Sequence, residues 1–337
     1  MEIDTETDIT WRPLTAADAP AAAELCAAAE TVDDEGGFYR TEEITQELDS
    51  PAVEPGLGAF GAFTPRGRLI AFAFVFARTE ADPAHRMHLW TVVHPAWRGH
   101  GVGAELTERS LAVARKISDL RFPGAPATLD RAVYERLTDL IAHLEKRGFA
   151  VQHYTCFMER PIDPAADAKA APTPPEGFEL VGYKPDLAEE FRSTHNEAFV
   201  PDHPGSTVMT PEAWAGLTET SNFRNDLSFG LRDTADGRLV GYVLSVHRPA
   251  HTDADTDTDT AGRRDVLLDY IGTRPEYRGR GVASTLIAAV VQAAAAQGFT
   301  SASLGVRSNN PNGARAVYEH AGFAPRRTFI SYVKSLD

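Results

Sequence analysis

The residues with the most chemistry within reach are Arg278, Gly279, Arg280, Gly281, Val282 and Ala283, set between an apolar β-rich run and a long helix-periodic segment. Glycines let a chain turn tightly and bring its backbone close to a ligand. Successive N–H groups there, followed by a helix N-terminus, make an anion site. No GxxxxGK[ST] occurs, so this is not a nucleotide-hydrolysing loop. Nor is it a dinucleotide fingerprint, which needs GxGxxG at a first strand–helix turn and an acidic residue about 20 positions on. A second group lies downstream, from Asn310 through Tyr318 to Gly322 and Phe323. The Tyr318 phenol can donate a proton while staying neutral at pH 7. On an apolar helix face a core residue is the lesser alternative.

These groups need elements to position them. Residues 266–273 read as a strand feeding the Arg/Gly loop, and 282–297 as a helix with a wide face of Val, Leu, Ile and Ala. Residues 301–306 read as the next strand, 312–321 as a helix carrying Tyr318, and 327–333 as a final strand. Ahead of them, 178–183 is strand-like, 187–199 helical, and 227–232 with 238–248 suggest a hairpin through Asp236-Gly237. The first half follows suit, with strands near 9–14, 58–63, 69–78 and 88–93 and a helix over 102–117.

The likeness of the halves is a duplication. Pro95-Ala96-Trp97-Arg98-Gly99-His100-Gly101-Val102-Gly103 recurs as Pro275-Glu276-Tyr277-Arg278-Gly279-Arg280-Gly281-Val282-Ala283, an offset of 180 residues from 98 to 278. Glu145-Lys146-Arg147-Gly148-Phe149 recurs as Glu319-His320-Ala321-Gly322-Phe323, an offset of 174 from 148 to 322. The expected fold class is therefore mixed α/β, with two tandem domains that each hold a central mixed sheet flanked by helices. Residues 1–160 form the first domain, the Pro/Ala-rich stretch 161–176 a linker, and 177–337 the second domain. The Asp/Thr run at 251–264 lacks the Gly and final Glu of a calcium loop and reads as a solvated loop.

With 337 residues, 43% hydrophobic and 24% charged, the chain can bury two cores. Its 33 basic and 48 acidic residues give a net charge of −15, which weighs against nucleic acid or an anionic membrane as partner. No apolar run approaches the ~20 residues of a membrane helix, and MEIDTETDIT has no basic or apolar region of a signal peptide. Cys26 and Cys156 read as reduced core thiols of a cytoplasmic protein. His195, His203 and His247 lack ligand spacing, so no metal is expected. Alanine richness and the excess of Arg over Lys resemble GC-rich bacterial proteins. Nothing indicates an oligomer.

The pattern R/Q-x-x-G-x-G/A between strand and helix, followed in order by Asn310-Pro311-Asn312-Gly313-Ala314-Arg315-Ala316-Val317-Tyr318-Glu319-His320-Ala321-Gly322-Phe323, resembles the GNAT superfamily of N-acetyltransferases. The likeness covers almost the whole chain, twice, and the tandem layout is similar to that of mycothiol synthase-like proteins. The resemblance implies acetyl-CoA as co-substrate, a small-molecule primary amine as acceptor, and direct attack of the amine with both substrates bound. Backbone N–H groups of Gly279, Arg280, Gly281, Val282, Ala283 and Ser284 would hold the pyrophosphate, with Arg278 shaping the loop. Ile271, Gly272 and Thr273 would pair with the pantetheine arm and supply an oxyanion donor. Asn310 would contact the cofactor or hold splayed strands, and Tyr318 would protonate the departing thiolate.

Many relatives place a Glu where this chain has Gly305, so Asp269 is the substitute candidate for general base. A structural hydrogen-bond role fits Asp269 as well. Asp202-His203-Pro204-Gly205-Ser206 fits an acceptor loop or a simple turn, and Trp214 a core residue or a substrate wall. In the first half the position of Tyr318 is Leu144, and Ala127-Thr128-Leu129-Asp130-Arg131 replaces the Asn-rich stretch. That half is expected to be structural or regulatory. A non-catalytic coenzyme-binding module is the alternative for the whole.

Overall fold

A computed structural model of the protein describes residues 8–35, 39–81, 83–169, 172–202, 208–220, 222–248, 264–307 and 313–337. In chain order the first half supplies β1 (Thr10–Pro13), α1 (Ala19–Asp33), α2 (Thr41–Leu48), β2 (Ala59–Phe63), β3 (Leu69–Ala81), β4 (His85–Val93), α3 (Val102–Arg121), β5 (Ala127–Tyr134), α4 (Thr138–Glu145) and β6 (Ala150–Pro161). The rest supplies α5 (Pro164–Asp167), β7 (Phe178–Gly182), α6 (Ala188–Ala198), α7 (Pro211–Thr218), β8 (Phe229–Asp233), β9 (Leu239–Arg248), β10 (Asp265–Thr273), α8 (Val282–Ala296), β11 (Ser301–Arg307), α9 (Ala314–His320) and β12 (Ala324–Ser335). The fold is mixed α/β.

The chain divides into two units, one made of the described residues through Tyr154 together with Phe329–Asp337, the other of those between Thr155 and Thr328. In the first unit the strand order is β1-β2-β3-β4-β5-β12, antiparallel except for β4 with β5. In the second it is β6-β11-β10-β9-β8-β7, antiparallel except for β10 with β11. Each unit thus takes one strand from the other half of the chain. Phe329 to Ser335 pair with Tyr134 to Thr128, while Pro161 to Thr155 pair with Ser301 to Arg307.

Local sequence explains most elements. In β3, Leu69 through Val75 are buried on both faces, as expected of a strand covered by helices. Helix α8 buries Val282, Leu286, Ile287, Val290, Val291 and Ala294, the spacing of one broad helical face. It ends at Gly298, whose φ of 76° permits the left-handed turn that sends Phe299 into the core. The hairpin through Asp236-Gly237 is present, with Arg238 N donating to Asp236 Oδ1 at 2.9 Å. The strand expected at 227–232 starts later, because residues Asn225–Leu227 form a short 3-10 turn.

Candidate active site

In the second unit β10 and β11 pair in parallel only from Asp265–Ser301 to Leu268–Leu304. Beyond that point β10 stays with β9 as far as Thr273–Gly241, and β11 stays with β6 as far as Arg307–Thr155. The two strands therefore fork. Their facing edges have no ladder partner in one another, and backbone edges of this kind accept an extended ligand. The β9–β10 register also slips between Leu268 and Tyr270, making Asp269 the extra residue of a β-bulge. Bulges re-aim side chains beside functional sites, and Asp269 is exposed.

After Thr273 a 3-10 turn (Pro275–Tyr277) leads into the glycine loop and α8. Gly279 and Gly281 have φ of 73° and 81°, a left-handed backbone that side-chain-bearing residues resist. Gly281 is the N-cap of α8 and brings no side chain to cap it, so the first-turn N–H groups are open to a ligand. Arg278 lines the site but is bonded to the backbone around it. Its Nε donates to Thr273 O at 3.2 Å and its Nη2 to Ala198 O at 3.3 Å, tying the loop to the strand end and to α6. Arg280 is exposed and lies over the rings of Phe178 (4.8 Å) and Tyr277 (5.2 Å).

A cavity of about 340 Å³ gathers these parts. Ile271, Gly272 and Thr273 line one side, Arg278, Gly279 and Gly281 the turn, and Val282, Ala283 and Ser284 the helix start. Tyr318 of α9 lines it too, with Val317 and Ala314. Burial pushes the Tyr318 phenol up to about 12, so it is protonated at neutral pH. Arg280 and Asp269 are not among the lining residues. Asn310, His203, Gly205 and Ser206 fall outside the described residues.

Sequence reasoning missed the wall opposite α9, which is Ala198 and Phe199 at the end of α6. Phe199 is stacked on His195 at 5.1 Å, and His195 Nδ1 shares a 2.7 Å hydrogen bond with the Tyr242 hydroxyl. That pair is buried, so His195 braces the wall. Gly272 is required beside it, because a Cβ there would come within 2.4 Å of the Tyr242 ring. Trp214 belongs to the same buried aromatic cluster. Among the described residues no group of three His, Cys, Asp or Glu side chains could hold a metal. Among them, too, no helix is long and apolar enough to cross a membrane.

Residues 187–323 match the model of the acetyltransferase (GNAT) family, from the start of α6 to the turn after α9. The second unit is a GNAT acetyltransferase domain. The chain is similar to a GCN5-related N-acetyltransferase of Sphaerobacter thermophilus, with a TM-score of 0.76, 25% identity and coverage of 97% of this chain and 96% of that one. It shares its fold with a tandem GNAT protein of the clavulanic acid pathway, at a TM-score of 0.69, 18% identity and coverage of 98% and 99%. Among curated relatives, the mycothiol acetyltransferase of Beutenbergia cavernae is 28% identical over 86% of this chain and 89% of its own. That of Clavibacter michiganensis is 28% identical over 72% and 70%. The protein is accordingly an acetyl-CoA-dependent N-acetyltransferase.

The acetyltransferase's first unit repeats the loop geometry. Gly99 and Gly101 have φ of 79° and 85°, and Arg98 Nε donates to Val93 O at 3.1 Å. Its guanidinium holds Asp33, the last residue of α1, through two bonds of 2.6 Å. At the place of Tyr318, Leu144 is fully buried in the core.

Proposed function

We propose that the second unit moves the acetyl group of acetyl-CoA to a primary amine of a small molecule, with both substrates bound at once. One observation carries this reading: the strand end, the left-handed glycine turn, the open helix start and a buried, protonated tyrosine border a single cavity. The coenzyme supplies an acyl thioester, whose carbonyl is open to attack by an amine. N–H groups of Gly279, Arg280, Gly281, Val282, Ala283 and Ser284 hold its pyrophosphate at the positive end of α8. Ile271, Gly272 and Thr273 pair with the pantetheine arm, and one of their N–H groups donates to the carbonyl oxygen as charge gathers there. Tyr318 gives its proton to the departing sulfur and regains one from solvent. Asp269, turned out at the bulge, takes the proton of the amine through water. Asn310 is assigned to holding the coenzyme or the parted strands.

The mycothiol acetyltransferases favour a second reading of the acceptor, as a cysteinyl amine on a glucosamine-inositol scaffold. Thiol release from acetyl-CoA, measured against a panel of small amines that includes this cysteinyl compound, separates the readings. Turnover confined to the cysteinyl compound selects the second. If acetyl-CoA binds but no amine releases thiol, the protein is a coenzyme-binding module instead. In the same proposal the protein works in a bacterial cytoplasm, a reading that the two buried cysteines and the bacterial source of the relatives support.

A further inference from the structure

The first unit has the same fork. There β4 and β5 pair in parallel from His85–Ala127 to His88–Asp130 and then part, although β4 runs on to Val93 and β5 to Tyr134. With the two offsets found in the sequence, His88 and Asp130 fall on Leu268 and Leu304, the last pair before the fork of the second unit. The next residue of β5 is Arg131, where β11 has Gly305. Opposite it on β4 stands Thr91, at the place of Ile271. Arg131 crosses the opening: Nη1 donates to the Thr91 hydroxyl, and Nη2 to the Thr91 carbonyl at 3.2 Å.

Resting on the reading of the second unit's fork as the coenzyme slot, we propose that Arg131 seals the corresponding slot of the first unit, so that the chain holds one acetyl-CoA rather than two. A guanidinium bonded to both the hydroxyl and the carbonyl of Thr91 occupies the strand edge that an extended arm would need. It is not a cation waiting for an anion. Glu35 and Asp33 face it with opposite charge, and Asp33 also holds the loop residue Arg98. In the second unit the matching position is Gly305, which has no side chain to cross the fork. The atoms nearest a Cβ placed on Gly305 belong to Phe157 and Thr155, at 3.5 and 3.6 Å on its own neighbouring strand. At this position the first unit's fork is crossed by a side chain and the second unit's is not, and the retained loop Arg98–Gly103 is left without an arm slot beside it.

Calorimetric titration of the full chain with acetyl-CoA tests this. We expect one equivalent for the unaltered protein, none for Gly281→Val, and one restored when Arg131→Gly is added to Gly281→Val. The restored equivalent should vanish again with Gly101→Val. Arg131→Ala serves as a second opening variant where glycine in β5 costs the fold, and circular dichroism checks each protein. A folded Gly281→Val chain that still binds one equivalent, lost only with Gly101→Val, overturns the seal. So does a folded opening variant that gains no binding. An unaltered chain that binds no acetyl-CoA at all overturns the reading of the second unit, a distinct result.

Discussion

Arg278 donates from Nε to the carbonyl of Thr273 at 3.2 Å, and Arg98 does the same to Val93 at 3.1 Å, five residues back in each case. The arginine expected from the sequence to shape the loop is bonded to the backbone of the strand before it. It clamps the glycine turn against the strand that ends at the fork. In the proposed function anion binding falls to backbone N–H groups, whose aim the clamp fixes.

Gly281→Val is expected to abolish tight acetyl-CoA binding to the second unit. Gly281 has φ of 81°, a conformation that a β-branched residue strongly resists. The added side chain also enters the path of the pyrophosphate. Calorimetry on the folded variant gives the answer, and wild-type affinity would remove the loop from the site.

Tyr318→Phe should lower kcat about 10²–10⁴-fold, the usual cost of losing a general acid, with little change in coenzyme affinity. Ring packing in the core survives, since only the hydroxyl goes, so the loss falls on the transition state. A variant turning over at the wild-type rate across pH would make Tyr318 a core residue and leave the thiolate to solvent.

The same tyrosine makes a stability prediction in alkali. Burial raises its folded pKa to about 12, above the unfolded value of about 10. Between those values the unfolded chain loses its proton first, so this contribution is intact below about pH 10 and falls away as pH rises towards about 12. The melting temperature of the wild type, relative to that of Tyr318→Phe, should hold constant up to about pH 9 and then fall. A wild type that gains on the variant in alkali would mean that the ionised form is favoured in the fold.

A fragment starting at Pro175 should aggregate or work poorly. It lacks β6, whose residues Thr155 to Pro161 cover the whole edge of β11, and it loses Met158 and Ile162 from the core of the second unit. An exposed strand edge beside a depleted core invites association. Size-exclusion chromatography and the thiol-release assay decide, and a monomeric, fully active fragment would show that the preceding residues are dispensable.

Much of the site was legible in the sequence because it is written in local chemistry. Glycines at 279 and 281, the apolar period of α8, and Tyr318 against Leu144 depend only on backbone freedom and side-chain type. The duplication and the GNAT likeness followed from those same short stretches. Tertiary structure alone decided what depends on partners distant in the chain. That the last strand, β12, pairs with β5 and that β6 pairs with β11 is not marked in either strand, since an alternating pattern names a buried face and never a neighbour. The carbonyl partners of Arg278, the bulge at Asp269 and the wall at Phe199 likewise wait on which carbonyls, registers and rings come within reach. Arg131 shows the division plainly. Its type was visible in the sequence, but its reach to Thr91 exists only because two strands, paired through Asp130, part at the next residue.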